Sequence, residues 1–233
     1  MRPAFTRAAV LAGMRESVPV QVAVVPFGLV CGVVAQGQGL SLAEAVLMSA
    51  TVYAGSAQLL ALSHWGVPAP VAAATLAAFV VNLRLALMGP VIGPWLDRLR
   101  GWRLWATLFV LVDQSWAMSV REMHAGRWDA GYLFGSGGSM WVVWVLVTGV
   151  GHVMGATMRP SPGHPLFFAA LAVFVAILAT MWRGRQDIVP WAVAAGASML
   201  ASRMAGGNWY IVVGALAGAG AGVARDRWRR AAR

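Results

Sequence analysis

The chain has no lysine, and its 18 arginines face only 8 acidic residues. Charged residues make up 11% of its 233 positions, where a soluble domain carries about 25%. So little charge excludes an ordinary soluble domain, and no stretch is long or polar enough to form a second one. The single Cys31 excludes an internal disulfide and a cysteine metal site. The four histidines, His64, His124, His152 and His164, fall in different segments without ligand-like spacing. Zinc is therefore not expected, and no other metal or cofactor is. The N-terminus carries Arg2, Arg7 and Arg15 ahead of an apolar stretch, as a signal sequence does. It lacks an A-x-A cleavage site, so the stretch reads as a retained first span.

What is present is apolar. Hydrophobic residues reach 59%, and the mean hydropathy is +0.68. Charge-free runs cover Ser17–Ala43, Ala45–Leu83, Ala130–Met158, Pro160–Trp182 and Met204–Ala224. Each is long enough to cross a bilayer, and the second nearly twice. The pattern predicts an all-α, polytopic membrane helix bundle of seven or eight transmembrane segments, with at least one broken or re-entrant. Apolar segments lie near 17–36, 42–62, 66–83, 104–120, 131–158, 165–182, 188–203 and 208–224. A stretch at 85–96 holds Gly89-Pro90 and Gly93-Pro94, and reads as too short and too broken for a regular helix. Residues 1–16 read as a cytoplasmic segment, 17–224 as one membrane transport domain and 225–233 as a basic tail.

The net charge of +10 could suggest nucleic acid, but the arginines sit in short loops and in the tail rather than on one polar face. No nucleic-acid partner is expected; loops facing the cytoplasm and anionic lipid explain them. Arginine in place of lysine fits the coding bias of a GC-rich bacterium. Three regions ask to be cytoplasmic: the N-terminus, the Arg98–Arg103 loop and the C-terminal tail. No simple count of crossings satisfies all three. Trp102, Trp105, Trp182, Trp191 and Trp209 suit an interfacial belt.

The longest charge-free run holds Tyr53-Ala54-Gly55-Ser56-Ala57-Gln58. Hydrocarbon cannot satisfy such groups, so they must face protein, a cavity or a substrate. If the helix unwinds there, freed amides can bind a carboxylate and freed carbonyls a cation, with Tyr53 and Gln58 adding side-chain hydrogen bonds. The alternative is a tight helix crossing through Gly55 and Ser56. Arg84, two residues after Asn82, either snorkels to head groups or supplies a bidentate counter-charge for a carboxylate. Asp113, with Gln114 and Ser115 beside it, stands inside the expected span 104–120. A carboxylate in a helix centre costs roughly 2.5–3.5 kcal/mol, so it reads as a proton-coupling group or as a member of a buried polar network. Glu44 reads as a helix N-terminal charge. Pro26, with Gly28 and Pro19, reads as a helix kink. Glycines at four-residue spacing mark small faces at Gly28 and Gly32, at Gly151 and Gly155, and at Gly214, Gly218 and Gly222. These read as internal packing, or, for the last set, as a docking face for a partner subunit.

The order of these residues resembles one family. Pro26-Phe27-Gly28, Met48-Ser49, Tyr53 to Gln58, Asn82-Leu83-Arg84, Leu87-Met88-Gly89 and Asp113-Gln114-Ser115-Trp116-Ala117 follow the pattern of the AzlC family. Those proteins are the large subunits of bacterial branched-chain amino-acid exporters. The resemblance implies a multi-pass protein of the bacterial cytoplasmic membrane exporting valine, leucine, isoleucine or methionine. It also implies a small AzlD-type membrane partner and energy from the proton motive force. Family members often carry His after the Asn-Leu-Arg, where this chain has Leu85. Two competing readings remain. One is an intramembrane serine hydrolase using Ser139, after Gly137-Gly138, with His152. The other is a passive channel or accessory subunit, against which stands the lack of charged side-chain rings.

Overall fold

A computed structural model describes residues 5–63, 65–66, 71–158, 184–204 and 209–231, with 168, 172, 175, 179 and 182 singly. The described residues contain helices and no strands. The chain divides into two compact units, Met1–Phe174 and Val175–Arg233.

The first unit is organised around one long helix. In chain order its elements are α1 (Arg7–Glu16), α2 (Val18–Gly37), α3 (Leu42–Val52), α4 (Gly55–Ser63), α5 (Val71–Leu96), α6 (Trp102–Phe109), α7 (Asp113–His124) and α8 (Gly131–Met158). α8 packs against α1, α2, α3, α6 and α7, and small residues along it permit the close approach. Beside Gly135, a side chain would strike the carbonyl of Val10 on α1, and beside Gly151 that of Leu29 on α2. Gly28, Gly32 and Gly155 also lie close to the facing helix; a Cβ at Gly28 would meet the Val147 side chain at 3.1 Å. These glycines serve internal packing.

Residues 7–16 therefore do more than flank a first span. They form a helix seated on α8, capped by Thr6, whose hydroxyl accepts from the Ala9 amide at 3.1 Å and donates to Asp129 at 2.7 Å. Ser17, which joins α1 to α2, keeps right-handed helical dihedrals (φ −80°, ψ −11°). Its hydroxyl lies 3.1 Å from that of Ser139, and Gln21 donates to both oxygens at 2.8 Å. α2 then continues unbroken through Pro26. α3 opens on a reciprocal cap, in which Ser41 Oγ accepts from the Glu44 amide and Glu44 accepts from the Ser41 amide at 2.7 Å. The N-terminal role read for Glu44 is the one observed.

Two expectations are corrected. Residues 85–96 are regular helix: α5 runs through Gly89-Pro90 and Gly93-Pro94 for 26 residues. Proline is tolerated inside a helix packed among other helices, where neighbours satisfy the freed backbone. Conversely, the expected span over 104–120 is two helices, α6 and α7, parted at Val110–Val112.

By length and composition, α2 and α8 are the described helices able to cross a bilayer alone; α3 is a shorter apolar helix, as is 188–204 in the second unit. The expected span at 165–182 falls almost wholly outside the described residues. Arg103 lies over the Phe5 ring at 5.3 Å. Phe5, near the N-terminus, and Arg103, at the start of α6, thus share one end of the unit.

The second unit holds α9 (Ile188–Met204) and α10 (Trp209–Ala231). Gly214 faces Ser198 and Ala194, a Cβ at Gly218 would meet that of Ala194 at 2.8 Å, and one at Gly222 would meet Pro190 at 3.8 Å. Rising numbers on α10 against falling numbers on α9 make the pair antiparallel. The Gly214–Gly218–Gly222 face is therefore an internal packing face covered by α9, not one left open for a partner subunit. The basic tail is the end of α10, with Arg225 donating to the carbonyls of Arg185 and Gln186.

Candidate functional site

The polar run at Tyr53–Gln58 breaks its helix. α3 stops at Val52, Tyr53 takes a left-handed conformation (φ 44°, ψ 42°), and α4 begins at Gly55. A left-handed non-glycine residue costs on the order of 1–3 kcal/mol, so the surroundings must hold it. They do so through α8. The Tyr53 hydroxyl donates to the Gly137 carbonyl at 3.1 Å. The break removes the helical partner of the Ala50 carbonyl, which accepts from Trp141 Nε1 at 3.0 Å instead.

Gln58 spans the gap. Its amide nitrogen donates to Ser49 Oγ on α3 at 2.8 Å, and its oxygen accepts from Trp144 Nε1 on α8 at 3.0 Å. Only 2% of Gln58 is exposed, so both bonds replace water that cannot reach it. Gly55 has no room for a side chain, since a Cβ would meet Trp144 Cη2 at 2.6 Å and the Phe27 ring as closely. Ser56 is half-buried, and its hydroxyl makes no hydrogen bond among the described residues. The amides that head α4 have no carbonyl a turn earlier to accept them.

The second interruption has a different chemistry. After Val110 the chain extends through Val112 (φ −136°, ψ 168°) before α7 starts at Asp113. Ser115 Oγ accepts from the Val112 amide at 3.0 Å and donates to the Val112 carbonyl at 3.0 Å. Asp113 is therefore not in the centre of a helix. It stands in the first turn of α7, where the exposed amides favour a negative charge. Asp113 and Gln114 are both half-buried.

Both interruptions converge on the same part of α8. Gly137 accepts from Tyr53, and a Cβ at Gly137 would collide with the Val110 carbonyl. One turn on, Trp141 donates to Ala50 and meets the Phe109 ring at 6.1 Å. Tyr53 and Val112 pack in one cluster with Cys31, Met140 and Trp144. α5 packs against α4 and α7, and its Met88 carbonyl accepts from Trp116 Nε1 at 3.1 Å. Asn82 lies half-buried on α5; Arg84 is on the same helix, with its side chain outside the described residues.

Sequence reading placed Ser115 beside Asp113 and Ser49 within a shared pattern, but missed Gly137, Trp141 and Trp144 as parts of this arrangement. A signal existed in the two tryptophans, which stand far from either end of a charge-free run, although interfacial tryptophans favour ends. The Ser139 and His152 pair does not form. The two are 13 residues apart on one helix, about 20 Å by helical rise. Ser139 is bonded to Ser17 and Gln21, and His152 Nε2 to the Leu40 carbonyl at 2.8 Å. No group of metal-ligating side chains occurs among the described residues.

The family model described as AzlC protein matches residues 19–158, more than half of the chain. The chain is 27% identical over 206 residues to inner membrane protein YgaZ of Escherichia coli, spanning 84% of this chain and 82% of that protein. It is 29% identical over 218 residues to an uncharacterized membrane protein of Archaeoglobus fulgidus, spanning 93% of each. No solved structure matches it.

Proposed function

Because the chain belongs to the AzlC family, we propose that it exports small apolar amino acids as the large subunit of a two-component, proton-driven transporter of the bacterial inner membrane. Its family is one of membrane transporters, and its relatives carry membrane-protein names. The substrate, the AzlD-type partner and the coupling belong to the proposal. One observation carries it: two interrupted helices lean on the same turn of α8. Interrupted helices expose backbone groups at membrane depth, and such groups are tolerated where they line a cavity or meet a substrate.

In this reading the amides heading α4 and the Ser56 hydroxyl receive the substrate carboxylate, with Arg84 as a second donor. Tyr53 and Gln58 hold the break open, and Gly55 keeps its floor flat. Asn82 and Gln114 supply hydrogen bonds from the flanking helices. Asp113 takes up and releases the coupled proton, or meets the substrate ammonium. The partner subunit uses a surface other than the Gly214–Gly222 face.

Efflux of labelled leucine, valine and methionine from cells expressing the chain, with and without its neighbouring small membrane protein, tests this. Export is expected at full rate only with both. Asp113→Asn keeps the shape but removes titration, so efflux should lose its dependence on external pH. Full export by the chain alone removes the two-component assignment, and normal pH dependence in Asp113→Asn places the proton path elsewhere.

A further inference from the structure

Contacts along α8 fix the direction of the other helices of the first unit. α1 and α2 run beside it in its own direction, with Thr6 at Gly131, Val10 at Gly135 and Leu29 at Gly151. Together they pass from the Gly131 end of α8, the near end, toward the Met158 end, the far end. α3 starts at the far end and runs back. Val46 lies beside Gly149, Ala50 accepts from Trp141 and Tyr53 donates to Gly137. After the break the chain reverses. Gly55 lies at Trp144, and Leu62 packs with Ala35, Leu40 and Ala45, where His152 also meets Leu40. With 11 and 9 residues, α3 and α4 reach about 17 and 14 Å, against a hydrocarbon core of about 30 Å. Neither crosses; the pair leaves and regains the far end.

α6 and α7 do the same from the near end. Trp102 meets the Phe134 ring at 6.5 Å and Phe109 meets that of Trp141 at 6.1 Å, so α6 advances along α8 away from the near end. Val112 packs with Tyr53 and Trp144. α7 then returns, bringing Arg121 to 3.6 Å from Glu16 and Glu122 to the wall of a cavity shared with Ala8, Trp95 and Tyr132. At 8 and 12 residues, these helices reach about 12 and 18 Å. Between the two pairs, α5 makes a full crossing in 26 residues, from α4 to Trp95 among Tyr132 and Leu133.

The chain therefore makes a half-depth pair and a crossing twice over, as α3–α4–α5 and then as α6–α7–α8. α5 runs from far to near and α8 from near to far, so the second set is the first turned over, as in inverted-topology repeats. The arginines agree. Arg98, Arg100, Arg103 and Arg127 are exposed and belong to the near end, where Arg103 covers Phe5, and basic loops mark the cytoplasmic face. Three further crossings, read from sequence over 160–182, 188–203 and 208–224, bring the basic tail to that face as well. All three basic regions are then satisfied by one count.

We propose that α3–α4 and α6–α7 are re-entrant hairpins that enter the membrane from opposite faces and meet tip to tip beside Gly137, α6–α7 coming from the cytoplasm. The cytoplasmic hairpin carries Asp113 at its tip, and the opposite one carries Tyr53 to Ser56. Each hairpin stands between the shared centre and one aqueous side. Its action as the gate of that side rests on the export reading; the topology does not.

The test is labelling of single cysteines in the full chain, on a Cys31→Ala background, by a sulfonated maleimide that does not cross membranes. Gln38→Cys and Ser63→Cys flank the first hairpin, and Arg100→Cys and Ala125→Cys the second; all four positions are exposed. In spheroplasts the first two are expected to label fully before lysis, and the second two only after it. Gly37→Cys, where a side chain meets nothing, and the exposed Asp97→Cys give each face a second reading. The proposal is overturned if either pair splits between the two conditions, if all four behave alike, or if the pairs exchange conditions. Cells in which the wild-type chain never exports while this pattern holds would remove the export reading and leave the hairpins standing. A split pair in a chain that still exports would do the reverse.

Discussion

At Tyr53 the chain leaves its helix through one left-handed residue and re-enters helix two positions later, whereas at Val110–Val112 it leaves through a turn at Val110 and extended backbone at Val112. The first break is held from outside, by Trp141, Trp144 and the Gly137 carbonyl, all on α8. The second is held mainly from within, by Ser115 one turn ahead. Small residues make the first, since a side chain at Gly55 would meet two rings. Val112 makes the extended part of the second, and it suits extended backbone because branching at Cβ stiffens its side chain. A helix can thus be opened by residues that permit the departure or by residues that prefer the alternative.

The difference can be broken or sharpened by substitution, read as melting of the full chain in detergent. The largest effect belongs to the residue both breaks share. Gly137→Leu must displace the Val110 carbonyl, and is expected to cost about 3 kcal/mol, the upper part of the usual range for overpacking. Wild-type melting of this variant would show that the two breaks have no common support.

Next comes Gln58→Leu, which leaves Trp144 Nε1 and Ser49 Oγ buried without their partner and should cost about 2 kcal/mol. Adding Trp144→Phe should then cost little more, because its N–H has already lost its acceptor. Fully additive losses would deny that Gln58 ties α4 to α8.

Ser115→Ala removes the internal support of the second break, with an expected loss of about 1.5 kcal/mol. Tyr53→Phe removes one hydroxyl from the first, with an expected loss of about 0.5–1 kcal/mol. The double variant should depart from the sum of the two by about 0.5 kcal/mol, since both breaks rest against Gly137. Exact additivity would make them independent.

Part of this was legible in the sequence. The limits of α8 follow from its charge-free run, and the first break from small and hydrogen-bonding residues where lipid would select neither. The second break was hidden because Val110, Leu111 and Val112 are as apolar as any membrane helix, with no glycine or proline to mark the departure. The same punctuation misled in the opposite direction at Gly89-Pro90 and Gly93-Pro94, which α5 absorbs. Gly137 sat in plain sight within Gly135–Ser139, where the glycines read only as the approach to a Ser139 nucleophile. Its meaning depends on what approaches it, and that is a property of the folded chain. The glycine stripe of α10 has the spacing of a close-packing face, but spacing alone leaves open whether a partner subunit or α9 occupies it.

The contact at Gly137 also bears on timing. A carbonyl that receives the Tyr53 hydroxyl while its own α-carbon lies against the Val110 carbonyl gives two distant stretches of chain a common fulcrum. Any slide or roll of α8 at that point arrives at both together, so neither interruption can be reshaped by that helix while the other stays at rest.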